Sequence, residues 1–268
     1  MKIVFLGTAC MVPTKERNHP AILLSYENEN ILIDCGENTQ RQLKIINFSL
    51  TKITKILITH WHSDHVLGLP GFLQSLAAGN YNKTLEIYGP IGTNKFINLI
   101  FKTYIPRTRT KEVKIKIFEI KDEGIFLNQK TYSIAATPKL DHFGRCLAYS
   151  FKEKDKRKIN LDYVNKIGIP KGPLLGQLQH GKDIEYKDKL IKVDKATKLV
   201  KGKRITIILD TALCDACFRI AKDSDLLICE ATYAQELKHK AKDYKQLTAK
   251  EAALIAKKAH VKKLVLTH

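Results

Sequence analysis

The sequence predicts a layered α/β domain, and three observations support this. Short apolar, β-branched runs alternate with stretches of helical periodicity along most of the chain. Hydrophobic residues make up 44% of the 268 residues, which is enough for a sizeable core. Several predicted strands end directly in His, Asp or Glu, and a strand end holds the following loop on a rigid base. We therefore expect residues 1–268 to form a single domain.

The amino-acid composition indicates which kinds of binding partner and which cellular location to expect for this protein. Lys and Arg number 46 against 27 Asp and Glu, which gives a net charge of +19. Such a surface attracts polyanions such as nucleic acid, although a general lysine bias of the source organism would give the same balance. Because no apolar run reaches about 18 residues, we expect no membrane partner. Six scattered cysteines favour reduced thiols, and an N-terminal apolar run that is too short for a signal peptide favours a cytoplasmic location.

The N-terminal part is predicted to contain strands around a polar loop. Strands are expected at Lys2–Leu6, Ala21–Leu24 and Asn30–Ile33, followed by a helix at Thr39–Ile46. The loop Pro13–Asn18 separates the first two strands and carries two cations. Cations on such a loop are usually only solvated, so this loop by itself does not indicate a function.

The stretch after the predicted strand Ile53–Thr59 concentrates metal-binding side chains. It contains His60, His62, Asp64 and His65 within six residues. Neutral imidazoles and an ionised carboxylate, held at a strand end, are what a metal site needs. A polar surface turn is the alternative, but chance rarely places three His and one Asp so close together. The spacing H-x-H-x-D-H therefore predicts a metal site.

The central part continues the alternation. Helices are predicted at Gly71–Ala78 and Gly92–Phe101, and strands at Leu85–Tyr88, Val113–Phe118, Lys130–Ala136 and Leu147–Phe151. His142 follows one of these strands. A single histidine of this kind is more often structural than metal-binding.

Residues 152–190 interrupt the pattern. They begin with a dense run of charged residues and contain Gly168–Pro173. This density of Pro and Gly predicts that regular core structure stops there. The lysines of such a segment can follow a phosphate backbone without reading bases. An ordinary charged surface insertion is the alternative.

The C-terminal part again places polar residues after strands. Strands are predicted at Ile205–Leu209, Leu226–Cys229 and Leu264–Leu266, and the polar residues beyond them include Asp210, Glu230 and His268. A carboxylate just past a buried strand, such as Asp210, is well placed to bridge two metal ions.

The spacing Cys214-x-x-Cys217 is that of a metal-binding cysteine pair. A lone pair without a second one is a weak signal, so we interpret both residues as structural thiols. We expect them on a helix that begins near Ala212.

Several motifs resemble those of a known family. The H-x-H-x-D-H segment resembles the signature of the metallo-β-lactamase superfamily. The motifs GT-x-x-x-x-P-T-K-x-RN (Gly7–Asn18), IDCGE-x-TQRQ (Ile33–Gln42), Gly168–Pro173 and EAT (Glu230–Thr232) are similar to those of ribonuclease Z, the endonuclease that trims the 3′ end of precursor tRNA. The resemblance covers nearly the whole chain. It implies a four-layer αββα sandwich from which residues 152–190 project as a flexible, tRNA-binding arm.

The resemblance also implies a set of functional residues. Two zinc ions per subunit would be bound, with Asp210 shared between them, and the implied ligands are His60, His62, Asp64, His65, His142, Asp210 and His268. Asp34 would support the metal site without binding metal. Asp64 and Glu230 would be catalytic, and Asp64 would also orient the attacking water. The implied RNA-binding residues are Lys15, Arg17, Asn18, Thr232, Lys171, Gly172 and Pro173.

The implied reaction is hydrolysis of the phosphodiester after the discriminator base of precursor tRNA. It would leave a 3′-hydroxyl on the tRNA and a 5′-phosphate on the trailer. A homodimer is implied as well, in which the arm of one subunit helps to hold tRNA for the other. Two alternatives remain open: a small-molecule metallo-hydrolase of the same superfamily, and a catalytically weakened RNA-binding relative.

Two positions depart from the family pattern. Gln246 stands where the family has the histidine of an H-x-T element, which the glutamate of the EAT element orients and which protonates the departing 3′-oxygen. An amide cannot act as a general acid near neutrality, so we expect slower cleavage unless Lys245 or a water takes this role. Family members usually continue past the last metal histidine. This chain stops at His268, and its terminal carboxylate is expected beside the metal site.

Overall fold

The computed structural model describes residues 1–105 and 113–268 of the chain. Strands and helices alternate through most of it, as the apolar runs predict. The strands are β1 (Lys2–Gly7), β2 (Ala21–Tyr26), β3 (Glu29–Ile33), β4 (Lys55–Leu57), β5 (Thr84–Pro90), β6 (Lys114–Ile120), β7 (Gly124–Asn128), β8 (Tyr132–Thr137), β9 (Ala148–Glu153), β10 (Lys156–Ile159), β11 (Ile184–Tyr186), β12 (Lys189–Ile191), β13 (Thr197–Val200), β14 (Arg204–Ile208), β15 (Leu226–Glu230) and β16 (Leu264–Thr267).

The helices are mostly short. They are α1 (Thr39–Ile45), α2 (Ser63–Val66), α3 (Leu69–Ala78), α4 (Thr93–Tyr104), α5 (Leu161–Ile167), α6 (Pro173–Gln179), α7 (Val193–Ala196), α8 (Asp215–Ala221), α9 (Lys238–Asp243) and α10 (Ala249–Lys258), with 3₁₀ turns at Leu50–Lys52 and Gln235–Leu237. Helix α10 begins at a capping box in which Thr248 and Glu251 satisfy each other's backbone amides. In the two ranges that are described, no helix is long and apolar enough to cross a membrane.

Two six-stranded sheets form the centre of the fold. The first has the strand order β1-β2-β3-β4-β5-β6, in which β3 to β6 run parallel to one another. The second has the order β16-β15-β14-β9-β8-β7, in which β14, β15 and β16 are parallel and the remaining pairs antiparallel. Parallel strands present their carboxyl ends at one edge of a sheet, so residues that follow them in the chain meet there.

The sheets pack face to face, and helices cover both outer faces. Leu24 and Ile33 of the first sheet share a core with Tyr149 and Ile207 of the second. The next residue, Ile208, belongs to a different core, because successive strand residues point to opposite faces. The four layers of the predicted αββα sandwich are confirmed.

The outer layers consist of helices whose apolar side chains pack on the outer faces of the sheets. Phe72 and Leu76 of α3 pack on the outer face of the first sheet. Ile220 of α8 and Ile255 of α10 pack on the outer face of the second. Every one of these four side chains is less than a tenth exposed. The helices therefore brace the sheets from outside and leave the strand ends free for polar residues.

Residues 156–200 form a small module with its own core. Strands β10 and β13 pair at its base, β11 and β12 form a hairpin, and α5, α6 and α7 pack between them. The buried residues of this core are Val164, Ile169, Leu178, Ile184, Ile191, Val193 and Ala196. The sequence predicts that residues 152–190 interrupt the core pattern and that regular core structure stops around Gly168–Pro173. That expectation is wrong in detail, because 152 and 153 belong to β9 and Pro173 opens helix α6.

Some boundaries also differ from the sequence prediction. Strand β7 is not among the predicted strands, and β4 is shorter than the predicted Ile53–Thr59. The helix expected to begin near Ala212 begins at Asp215. The candidate ligands still follow strands along the chain, although Asp64 and His65 lie in the short helix α2, which the sequence did not predict.

Candidate metal centre

Three histidines and one aspartate form a first group at the edge where the strands end. One side-chain atom of each of His60, His62, His142 and Asp210 lies within 4.8 Å of every other. His142 Nε2 is 3.2 Å from His62 Nδ1, and both His60 Nε2 and His142 Nε2 are 3.8 Å from Asp210 Oδ2. The four side chains come from both sheets, so the packing of the sandwich sets their distances.

A second group lies on the other side of Asp210. It consists of Asp64, His65 and His268. His65 Nε2 and His268 Nε2 are 3.3 and 3.2 Å from Asp210 Oδ1, and 3.4 and 3.5 Å from Asp64 Oδ2. Asp210 therefore directs one carboxylate oxygen towards each group, which is the arrangement expected of a ligand shared by two metal ions.

The buried atoms that face this centre lack hydrogen-bond partners. His60 Nε2, His65 Nε2, His268 Nε2 and Asp210 Oδ1 are all buried without a partner among the described residues. Leaving one buried polar atom unsatisfied costs about 1–3 kcal/mol. Four such atoms face the same centre, and cations bound there would account for their missing hydrogen bonds. The donor set thus fits metal ions, and its imidazole and carboxylate composition suits zinc.

The opposite ring nitrogens of the histidines are held by neighbouring groups. His65 Nδ1 donates to Asp34 Oδ2 at 2.7 Å, and Asp34 in turn accepts from the amide and hydroxyl of Thr59 at 2.7 Å each. His142 Nδ1 donates to the carbonyl of Lys245 at 3.0 Å. These contacts fix the tautomers so that Nε2 faces the centre. Asp34 is thus hydrogen-bonded to His65, and its role as a support of a metal site stays a prediction.

A chain of three groups orients His268. Thr232 Oγ1 lies 2.7 Å from Glu230 Oε2 and 2.9 Å from His268 Nδ1. Since the Thr232 hydroxyl donates its proton to the carboxylate, it accepts the hydrogen bond from the imidazole. Glu230 Oε1 accepts from the amide of Thr211, the neighbour of Asp210, at 2.8 Å. Glu230 therefore positions two candidate ligands through other residues.

Burial and charge set the protonation of the centre. Burial, with repulsion from His65, holds the pKa of His60 well below its ordinary value. Burial alone would raise the pKa of Asp64, but the neighbouring His268 and His65 rings hold it below the usual range. A neutral imidazole and an ionised carboxylate are the forms that bind metal. Burial, with repulsion from Asp210, raises the pKa of Glu230 to about 7.

Gln246 faces the centre from the loop before α10. Its Nε2 donates to Asp210 Oδ2 at 2.8 Å. Its Oε1 is buried and has no partner among the described residues. The hydrogen bonds of Glu230 go to Thr211 and Thr232 rather than to Gln246. The sequence identified Gln246 as a departure from the family pattern but not as a partner of the shared aspartate.

The residues predicted to bind RNA do not lie in one place. The Arg17 side chain donates to the hydroxyl and the carbonyl of Thr8, and the Asn18 amide donates to the carbonyl of Glu37 at 3.1 Å. Arg17 thus stabilises its own loop, a role that the sequence did not predict, and Lys15 on the same loop is exposed.

The other predicted RNA-binding residues are divided between the centre and the module. Thr232 lies in the centre, bound to Glu230 and His268. Lys171, Gly172 and Pro173 are exposed at the start of α6 in the module.

Full-length relatives identify the family. The chain is 35% identical over 270 residues to ribonuclease Z of Methanothermobacter thermautotrophicus, and the match covers 100% of this chain and 86% of the relative. It is 38% identical over 274 residues to ribonuclease Z of Bacillus cereus, with 100% and 88% covered. The chain belongs to the ribonuclease Z family.

Solved structures agree with this membership. Human tRNase Z, short form, superimposes with a TM-score of 0.72 at 27% identity, covering 100% of this chain and 92% of that one. The metallo-β-lactamase fold protein YhfI from Bacillus subtilis superimposes with a TM-score of 0.69 at 18% identity, covering 99% and 84%. The chain thus has the metallo-β-lactamase fold of the ribonuclease Z family.

A family model described as anti-Pycsar protein Apyc1 matches residues 1–92. This range includes the His60–His65 loop but ends before His142, Asp210 and His268. The match therefore concerns the first part of the fold, whereas the ribonuclease Z relatives match the chain from end to end.

Proposed function

We propose that this chain is a metal-dependent endoribonuclease that removes the 3′ trailer from precursor tRNA. The full-length match to ribonuclease Z proteins carries the proposal. The net charge of +19 supports it, because a basic surface attracts an RNA polyanion. Cleavage after the discriminator base would leave a 3′-hydroxyl on the tRNA and a 5′-phosphate on the trailer.

The proposed cofactor is two zinc ions per subunit. His60, His62 and His142 would bind one ion and Asp64, His65 and His268 the other, with Asp210 shared. When bound, two zinc ions lower the pKa of an attacking water and offset negative charge on the phosphate. The orphaned nitrogen atoms of His60, His65 and His268 support this assignment.

The protein's own groups would orient the reactants. Asp64 is ionised and nine-tenths buried, so its carboxylate can accept a hydrogen bond from the attacking water and align it with phosphorus. Glu230 acts indirectly. It accepts hydrogen bonds from Thr232, which contacts His268, and from the amide of Thr211, which follows Asp210. We therefore assign Glu230 a positioning role towards His268 and Asp210, whereas the resemblance implies that it orients the histidine for which this chain has Gln246.

RNA would be bound at two places. We propose that Lys15 and Arg17, with Asn18 and Thr232, handle the RNA 3′ end beside the centre. The module with Lys171, Gly172 and Pro173 would hold the tRNA body at a distance from the cut. A homodimer would let the module of one subunit hold tRNA for the other. The six free cysteines are consistent with a cytoplasmic protein.

Gln246 favours a second candidate function. Its amide cannot protonate the departing 3′-oxygen, and general acid help is typically worth about 10²–10⁴-fold in rate. A chain without that help could serve as an RNA-binding relative that cleaves weakly. The hydrogen bond from Gln246 to Asp210 shows that the residue is part of the centre and not a distant change.

One experiment separates the two functions. Precursor tRNA with a 3′ trailer is incubated with the protein in the presence of zinc or of a chelator, and the new 3′ end is mapped. Cleavage after the discriminator base that the chelator abolishes supports the proposal. Asp210→Asn is the matched control, since it keeps the shape of the shared ligand but removes its charge, and it should not cleave. Binding without cleavage would support the weakened relative, and the absence of both would exclude both functions.

A further inference from the structure

Cys214 and Cys217 lie together at the start of α8, outside the metal centre. Their sulfur atoms are 3.5 Å apart. Cys214 precedes the first helical residue, and the amide of Cys217 donates to the carbonyl of Cys214 at 3.1 Å. The turn therefore brings both thiols to the same side. A disulfide needs a sulfur–sulfur distance of about 2.05 Å, so a closure of only about 1.5 Å would join them.

The two thiols differ in access and in acidity. Cys217 is fully buried in the core beside α8 and α10, whereas Cys214 is partly exposed. The thiol of Cys217 donates to Cys214, and this hydrogen bond lowers the pKa of Cys214 to about 6. The same contact, together with burial, raises the pKa of Cys217 well above its ordinary value. In a dithiol exchange site, an accessible thiolate attacks the external disulfide, and a second, buried thiol then resolves the mixed disulfide. Cys214 and Cys217 fit these two roles.

Other roles for the pair have less support. Over residues 1–105 and 113–268, neither cysteine belongs to a group of three or more side chains that could hold a metal. A purely structural role accounts for Cys217, which packs in the core, but not for the exposure of Cys214 or for the sulfur contact. The four other cysteines take no part in this pair.

We propose that Cys214 and Cys217 form a site of reversible thiol–disulfide exchange with low-molecular-weight disulfides. The Cys214 thiolate attacks one sulfur of the external disulfide and displaces the other as a thiolate. Cys217 then loses its proton and attacks the sulfur of Cys214 in the mixed disulfide, which releases the second thiolate. The protein gains one disulfide, and its two electrons and two protons appear in two molecules of reduced external thiol.

The site is separate from the proposed cleavage reaction but close to it in the chain. Cys214 lies four residues after Asp210, and its sulfur is 4.0 Å from Thr211 Oγ1 and 3.7 Å from the carbonyl of Lys139. None of these contacts involves a candidate metal ligand. Disulfide formation can therefore be measured without reference to cleavage, and its failure would leave the proposed function untouched.

The test exposes the folded protein to glutathione disulfide, removes the disulfide, unfolds the protein with an alkylating agent present so that every remaining thiol reacts, and maps the products by mass spectrometry without reduction. The wild type should lose two alkylatable thiols of six and yield a Cys214–Cys217 disulfide, which a small thiol reductant reverses. Cys217→Ala should stop at a mixed disulfide on Cys214. Cys214→Ser should form neither product.

Cys10→Ser is the matched control, because Cys10 is the other cysteine that is not fully buried. This variant should form the disulfide as the wild type does. The proposal would be overturned if the folded wild type kept six alkylatable thiols, or if Cys10 formed the mixed disulfide as fast as Cys214.

Discussion

Gln246 contacts the shared aspartate of the centre and stands where the resemblance implies a histidine. Its amide donates to Asp210, the carboxylate shared by both candidate metal groups, so it holds that ligand in place. A histidine at this position could donate in the same way and could also release a proton. The difference between the two residues is therefore a proton that glutamine cannot give at neutral pH.

Gln246→His should raise the rate of cleavage of precursor tRNA. General acid help is worth about 10²–10⁴-fold, so an increase of at least tenfold in single-turnover rate is expected, with unchanged tRNA affinity. Gln246→Ala is the control, because it removes the contact with Asp210 without adding an acid and should not accelerate cleavage. If the histidine variant binds and cleaves as the wild type does, protonation at this position does not limit the reaction.

Thr232 carries a second prediction at the level of one residue. Its hydroxyl donates to Glu230 and accepts from His268, and this links a buried carboxylate to a candidate ligand. Thr232→Val removes both bonds and should weaken zinc binding by about 10–100-fold, as losses of such orienting groups typically do. Competition with a fluorescent zinc chelator measures the affinity. Thr232→Ser keeps the hydroxyl and should bind nearly as the wild type, and a serine variant as weak as the valine variant would contradict this orienting role.

At the level of elements, the module of residues 156–200 depends on one buried side chain in α6. Leu178 is fully buried in the module core, and a Leu→Ala change in such a core costs about 2–5 kcal/mol. Because this core is separate from the core between the sheets, Leu178→Ala should loosen the module alone. We expect weaker binding of precursor tRNA and unchanged hydrolysis of a small phosphodiester such as bis(p-nitrophenyl) phosphate.

Lys171→Ala is the companion variant, because it changes the charge on the module surface but not the core. It should weaken tRNA binding less than Leu178→Ala and leave the small substrate unaffected. Equal losses with both substrates in Leu178→Ala would show that the module supports the whole fold and does not act only in RNA binding.

The sequence predicted the central strands and the candidate ligands because both depend on local patterns. Apolar runs mark buried strands, and polar residues directly after them mark the strand ends. Contacts between residues that are distant in sequence have no such local pattern. Lys55 lies in a buried strand, and only the structure shows that Glu29 at 2.9 Å and Glu86 at 3.6 Å neutralise it from the neighbouring strands.

The regular structure of the module could not be predicted from the sequence for a related reason. Gly168–Pro173 was expected to stop regular structure, yet Pro173 opens α6, where its missing amide costs nothing in the first turn. The apolar residues that build the module core are spread over more than 30 positions, and they come together only through long-range packing. Spacing alone could not have revealed that core.

The whole molecule depends on the centre because ligands from both sheets meet there. His60 and His65 follow β4 of the first sheet, whereas Asp210 and His268 follow β14 and β16 of the second. Bound ions would join the two sheets and satisfy the buried nitrogen atoms that have no hydrogen-bond partner among the described residues. Metal binding should therefore stabilise the fold as well as permit cleavage.

Removal of the metal should lower the melting temperature of the protein. A ligand at roughly 100 times its Kd stabilises the folded state by about 2.7 kcal/mol, so a chelator should lower the midpoint by several degrees, and added zinc should restore it. Scanning calorimetry with and without chelator measures the shift. Asp210→Asn should show little response to chelator, since the ligand that joins the two groups has lost its charge. A wild type whose melting temperature ignores both chelator and zinc would show that the orphaned nitrogens of His60, His65 and His268 are not satisfied by metal.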